Sequence, residues 1–248
     1  VIGSPSVNPK IEGKDLLNSA YFLYQGEVLG VTHKALLPTY DIFDEYRYFE
    51  PAVDFTTIEF KDKKIALTVC EDIWNVGNDN PLYPICPMDE LMELSPEIMI
   101  NISASPFDYL QAEDRMNVIR ANTDRYKLPL FYINHTGAQT DIVFDGGSIV
   151  ASPDGTIYRE MPYFKETLEC FDLDEVIKGG ANNIQRHDKI SLIHQALLVG
   201  IQAYFKKLNL KSAILGLSGG IDSAVVAVLA AQALGKENFR VVLMPSQY

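Results

Sequence analysis

Cysteine is scarce in this sequence: Cys70, Cys86 and Cys170 are the three in 248 residues. A sparse, odd set argues against a disulfide scaffold and suits a reducing cytoplasm. No apolar run approaches the length that crosses a bilayer, so no membrane is expected among its partners. Basic residues are outnumbered, 21 Lys and Arg against 33 Asp and Glu, and the formal net charge is −12. Nothing resembles a basic stripe, and nucleic acid is not an expected partner. The start, Val1-Ile2-Gly3-Ser4-Pro5, has no initiating Met, no basic flank and no signal-peptide pattern. It reads as a strand entered midway, in a fragment or a processed chain. Internal repeats and low-complexity tracts are absent.

What is present is 47% hydrophobic, enough for one full domain and part of a second. Residues 1–175 alternate strands, turns and a few helices. Residues 20–31 read as a hairpin with Gln25-Gly26 at its turn. Short apolar runs at 65–69, 98–102 and 130–133 fit buried strands, and 113–126 has helical composition. Strands at 148–151 and 156–158 flank the turn Ser152-Pro153-Asp154-Gly155. A linker over 176–189 holds Gly179-Gly180-Ala181-Asn182-Asn183. Beyond it, 190–208 reads as a helix with Leu192, Ala196, Val199 and Ala203 near one face. Then come a strand at 213–217, an Ala-rich helix at 224–234 closed by Gly235, and a strand at 239–244. Strand, helix, strand is the opening of a parallel α/β sheet, here a second domain over 190–248.

The loop Leu217-Ser218-Gly219-Gly220-Ile221-Asp222-Ser223 joins that strand to that helix. Gly219 and Gly220 let the backbone turn sharply and approach a ligand. The helix behind them presents free N–H groups and a positive dipole end, a site for phosphate. Ser218 and Ser223 add hydroxyls. Asp222 is unsuited to phosphate unless a cation lies between, which points to Mg²⁺. No Gly-Lys-Ser/Thr follows, so this is not a Walker loop. It resembles the Ser-Gly-Gly-x-Asp-Ser loop of the N-type ATP pyrophosphatases. These enzymes cleave ATP to AMP and pyrophosphate while adenylating their substrate. The plain alternative is an ordinary strand-to-helix turn.

The run 65–69 leads into Cys70-Glu71-Asp72-Ile73-Trp74. A nucleophile just after a buried strand is held rigidly and can be exposed at the sheet edge. A lone cysteine is ordinarily core packing, the reading given to Cys86 and Cys170. The charged pair behind Cys70 is out of place in a core. The stretch also resembles the Cys-Glu-Asp-x-Trp of nitrilase-type glutaminases. Upstream, Lys34-Ala35-Leu36-Leu37-Pro38 is similar to the Lys-x-x-Leu-Pro setting of the nitrilase superfamily. There a lysine beside the cysteine favours the thiolate and stabilises an oxyanion. Asn101-Ile102-Ser103-Ala104-Ser105-Pro106 and Phe144-Asp145-Gly146-Gly147-Ser148 resemble later loops of the same superfamily, in its order. The resemblance implies Cys70 and Lys34 as catalytic residues, with Glu45 in support. It places Tyr40, Phe43, Glu71, Trp74 and Ser105 on a glutamine pocket, though each could equally be packing. Gln111 falls where relatives often carry a basic residue.

A nitrilase-type domain joined to this ATP loop resembles the glutamine-dependent NAD synthetases. The implied fold is α/β: a nitrilase-like αββα sandwich, incomplete at its N-terminus, then the first β-α-β of an adenine nucleotide alpha hydrolase-like parallel sheet. The implied substrates are glutamine, deamido-NAD and ATP, with Mg²⁺ on the phosphates. ATP loop contacts are Ser218, Gly219, Gly220, Asp222 and Ser223, with Asp222 toward the metal. The implied enzyme is a cytoplasmic homo-oligomer. The family's general-base glutamate has no match here, and neither full activity is expected of this stretch alone. Rival readings are another two-part amidotransferase, an amidase whose C-terminal extension merely packs, and a non-catalytic assembly module.

Overall fold

The computed structural model describes residues 1–78, 82–180, 184 and 188–244. Three antiparallel strands come first: β1 (Ile2–Val7), β2 (Leu16–Tyr24) and β3 (Glu27–His33). β2 and β3 form the expected hairpin, and its turn residues Gln25 and Gly26 have φ of 48° and 85°. Two left-handed residues in a two-residue turn match the twist of the strands they join.

The second sheet is built from β4 (Ile58–Phe60), β5 (Lys63–Val69), β6 (Ile98–Ser103) and β7 (Leu130–Asn134), with α1 (Pro87–Met92) and α2 (Gln111–Tyr126) in the connections. A side hairpin of β8 (Thr136–Gln139) and β9 (Ile142–Asp145) comes next, followed by β10 (Ile149–Ala151) and β11 (Ile157–Glu160). The six strands run in the order β11-β10-β7-β6-β5-β4, and the central three, β5, β6 and β7, are parallel.

Residues on a strand alternate between faces, and β5 uses both. Ile65, Leu67 and Val69 pack with Ala20 of β2 and Ile58 of β4 in a core between the two sheets. Ala66 faces the other way, into a core with Met88, Leu91, Met99, Met116 and Ile119 under α1 and α2. A central strand covered on both sides is a mainly apolar run, which is why 65–69 reads as one despite Thr68. On α2 the buried residues are Arg115, Met116, Ile119, Asn122, Thr123 and Tyr126, spaced three and four apart to make one face. The layers are therefore helix, sheet and sheet, three of the four in an αββα sandwich.

A short helix, α3 (Leu173–Lys178), crosses the boundary expected at 175/176. Asp172 caps it, accepting from the N–H groups of Asp174 and Glu175, and Val176 is fully buried. Within the linker, 181–183 and 185–187 lie outside the described residues. The rest is α4 (Lys189–Lys207), β12 (Ala213–Leu217), α5 (Ile221–Leu234) and β13 (Phe239–Leu243), with β12 and β13 pairing in parallel. This is the β-α-β read from the sequence. α4 packs on α5 and on the β8–β9 hairpin, where the Lys207 ammonium donates to the Ala138 carbonyl at 2.5 Å and to Gln139 Oε1 at 2.9 Å.

Candidate active site

β5 ends at Val69, and Cys70 opens a 3-10 turn, Cys70–Ile73. Its φ is +48°, the left-handed region that costs a side-chain-bearing residue free energy. The neighbouring strand supports this conformation. Asn101 of β6 donates through Nδ2 to the Cys70 carbonyl at 3.3 Å and to Thr68 Oγ1 at 3.0 Å. Ser103 in turn donates to Asn101 Oδ1 at 2.7 Å. The half-buried Cys70 lines a cavity of about 1000 Å³ with Phe43, Glu45, Ser103 and Asn134. Burial pushes its thiol up, Lys34 pulls it down, Glu71 and Glu45 push it further, and the net direction is upward.

Lys34 follows β3 and is 1% exposed. Its Nζ donates to Glu45 Oε1 at 2.6 Å, while Asn18 Nδ2 donates to Glu45 Oε2 at 3.0 Å. Burial opposes the lysine's charge, but Cys70 and Glu45 more than offset it, so the ammonium is held above the ordinary value. The site therefore contains a permanent cation beside a thiol, with one Glu45 oxygen bonded to Lys34 and the other to Asn18. Among the described residues no hydrogen bond joins the Cys70 thiol to a carboxylate.

The pair behind Cys70, read from the sequence as out of place in a core, is buried: Glu71 at 5% and Asp72 at 3% exposure. Each carboxylate is tolerated because donors surround it. Glu71 Oε1 accepts from the hydroxyls of Tyr40 at 2.8 Å and Tyr83 at 2.9 Å. Burial raises both phenols well above their usual range, and the Glu71 charge adds to it. Asp72 Oδ1 accepts from the N–H groups of Ala35 at 3.0 Å and Leu36 at 2.9 Å, and Oδ2 from Val69 N–H at 3.0 Å. Burial pushes the Asp72 carboxyl up to about 6, against the pull of these donors and of Lys34.

Of the residues expected on a glutamine pocket, Phe43 lines the Cys70 cavity and stacks edge-on against Tyr40, ring centroids 5.8 Å apart. Tyr40 and Glu71 meet each other through their hydrogen bond. Trp74 packs against the core under α1 and α2. Ser105 is buried, its N–H donating to Asn134 Oδ1 at 2.9 Å. Sequence reasoning missed a buried network that meets the cavity at Asn134. Arg115 of α2, 1% exposed, forms a two-pronged bond to Asp145 at 2.7 and 2.5 Å, and Asn134 Nδ2 also donates to Asp145 at 3.1 Å. One signal was available: an arginine on the apolar face of a helix needs a buried carboxylate.

The second expected site lies at the start of α5. Gly219 has φ +88° with open space around it, and Gly220 is the N-cap. Ser218 Oγ and Ser223 Oγ are 3.0 Å apart, and Ser223 donates to the Gly220 carbonyl at 2.9 Å. No side chain caps the helix, so its first N–H groups point outward beside the exposed Asp222. Among the described residues no group of three or more His, Cys, Asp or Glu is placed to hold a metal ion. Asp222 alone fits a cation only if phosphate oxygens and water complete its shell. No helix among these residues is long and apolar enough to cross a membrane.

Residues 1–182 match the family described as Carbon-nitrogen hydrolase, and 193–248 match NAD synthase. A glutamine-dependent NAD(+) synthetase from Synechocystis sp. is 38% identical over 242 residues, covering 95% of this chain and 43% of that protein. One from Acinetobacter baylyi is 33% identical, covering 93% and 41%. Among solved structures, the glutamine-dependent NAD+ synthetase of Acinetobacter baumannii in complex with ADP superposes with a TM-score of 0.84 at 31% identity, over 99% of this chain and 45% of that one. The chain thus spans under half the length of the curated relatives it matches.

Proposed function

The chain belongs to the carbon-nitrogen hydrolase family, and from that premise we propose that it is part of a glutamine-hydrolysing NAD synthetase. The observation that carries the amidase half is the arrangement of Cys70, left-handed at a strand end and facing a cavity, beside the buried Lys34–Glu45 pair. Cys70 attacks the side-chain amide carbon of glutamine. The Lys34 ammonium stabilises the oxyanion as the C–N bond breaks and ammonia leaves. Water then cleaves the thioester and releases glutamate. Because the thiol lies above its ordinary value, a base must take its proton as attack begins and pass it to the departing nitrogen, which leaves as ammonia. Glu45, committed to Lys34 and Asn18, serves as the lysine's partner instead.

Phe43 forms a wall of the substrate pocket, and Glu71, next to Cys70 in the chain and bonded to Tyr40 and Tyr83, takes the polar end of the substrate. In the second half ATP adenylates the carboxylate of deamido-NAD, releasing pyrophosphate, and ammonia displaces AMP to give NAD. The free N–H groups of α5, with Gly219, Gly220, Ser218 and Ser223, cradle the phosphates. Asp222 would hold Mg²⁺ at this loop, and the ion would supply positive charge against the phosphates.

The test is made in the full-length protein. Cys70→Ala is expected to abolish NAD synthesis driven by glutamine while leaving synthesis driven by free ammonia. Undiminished synthesis from glutamine would overturn the assignment.

A further inference from the structure

Lys34 and Cys70 stand on different sheets. Lys34 follows β3 of the three-stranded sheet, and Cys70 follows β5 of the six-stranded one. Apolar packing holds the sheets together, but it is non-directional and does not fix two side chains to a few tenths of an ångström. The backbone of Lys34 is tied to its own side of this interface: its N–H donates to the Asn18 carbonyl at 2.8 Å, and its carbonyl accepts from Ala52 N–H at 3.0 Å. The Tyr40 hydroxyl reaches across to the Glu71 side chain, but what joins backbone to backbone beside both reactive groups is the Asp72 carboxylate. One oxygen takes the two N–H groups directly after Lys34, and the other takes the N–H directly before Cys70.

We propose that Asp72 is a positioning residue that sets the separation of the Lys34 ammonium and the Cys70 thiol by joining the two backbones. A local cap on the 3-10 turn explains only the Val69 bond. The bonds to Ala35 and Leu36 reach back 37 and 36 residues. The chemistry suits aspartate and no close substitute. Asparagine keeps one acceptor oxygen and presents an NH₂ where Val69 N–H needs an acceptor. Glutamate displaces both oxygens by a methylene. The residue is absent from the cavity lining and acts through its two neighbours. This inference rests on Cys70 and Lys34 acting as a pair, but not on glutamine being the substrate.

The experiment is the pH–rate profile of Cys70 alkylation by iodoacetamide, followed by peptide mass spectrometry in the intact chain. Lys34→Ala removes the cation and is expected to move the Cys70 midpoint up by about one pH unit, a tenfold loss of thiolate at a given pH. Asp72→Asn is expected to reproduce most of that shift, and the double variant to shift no further. A wild-type midpoint in Asp72→Asn, or shifts that add, overturns the proposal. If Asp72→Asn does not fold by circular dichroism, Asp72→Glu is read the same way. A chain that folds with neither makes Asp72 a stability residue and also overturns it. A glutamine-mimicking diazo-ketone run in parallel separates the two readings. If it ignores Cys70 while the midpoints behave as expected, the substrate assignment fails and the positioning role stands.

Discussion

The ammonium of Lys34 lies 2.6 Å from the carboxylate of Glu45, and the lysine side chain is only 1% exposed. The pair is buried on one side and 19% open on the other, so its strength comes mainly from what happens when a partner is lost.

Glu45→Gln strands a buried ammonium. The expected loss is about 2–3 kcal/mol of unfolding free energy, below the roughly 3–5 kcal/mol of a fully buried pair because Glu45 is partly solvated. Pairing it with Lys34→Met is expected to recover part of the loss, since no charge is then left unpaired. The pH behaviour follows from the lysine. Its folded value lies above its unfolded one, so the stabilisation is complete below the ordinary lysine value and is lost only as pH rises through the folded value. The penalty of Glu45→Gln should therefore be the same at pH 7 and pH 9 in urea titrations. A penalty that vanishes by pH 9 would reject the account.

Asp72 gives a pH dependence of the same sign in a lower window. Burial raises its carboxyl from 3.8 to about 6. A raised folded value means stability is fully present below the unfolded value and is lost as pH rises through the folded one. Two units correspond to about 3 kcal/mol. The unfolding free energy of the wild type minus that of Asp72→Asn is expected to fall by about this amount between pH 4 and pH 7. A difference that stays flat over that range would show the carboxylate to be fully compensated by its three N–H donors.

These two acids also mark the limit of what the sequence makes legible. β5 is readable because four of the five residues 65–69 are apolar, with Thr68 the exception, and such a run admits a doubly covered strand. The Gln25-Gly26 turn is readable because few residue pairs take two left-handed conformations. The β12–α5 loop is readable because its glycines stand between an apolar run and an alanine-rich helix. Burial of Glu71 and Asp72 is not readable, because local pattern scores a charged pair as surface. What keeps them inside is contact with Tyr40, Tyr83, Ala35 and Leu36, brought close only by the fold. The left-handed Cys70 is hidden for the same reason: cysteine carries no sequence preference for that region, and Asn101, which supports it, is on the next strand. Trp74 adjoins the reactive turn in sequence yet packs into the core, since successive residues of a 3-10 turn point about a third of a revolution apart.

The three cysteines offer a contrast between chemistry and recognition. With iodoacetamide near neutral pH, Cys170 should react first because it is exposed. Cys86 should react last because it is buried and bonded to the Tyr126 hydroxyl at 3.3 Å. Cys70 should fall between and accelerate as pH rises, since burial holds its thiol above the ordinary value and the thiolate is the nucleophile. A diazo-ketone analogue of glutamine should reverse the order. If Phe43 and the Glu71 cluster form a pocket, it concentrates the reagent beside Cys70, and labelling there should exceed Cys170 by tenfold or more. Free glutamine should suppress that labelling and leave Cys170 unchanged. Equal, slow modification of all three, insensitive to glutamine, would mean the cavity around Cys70 does not recognise the amide substrate.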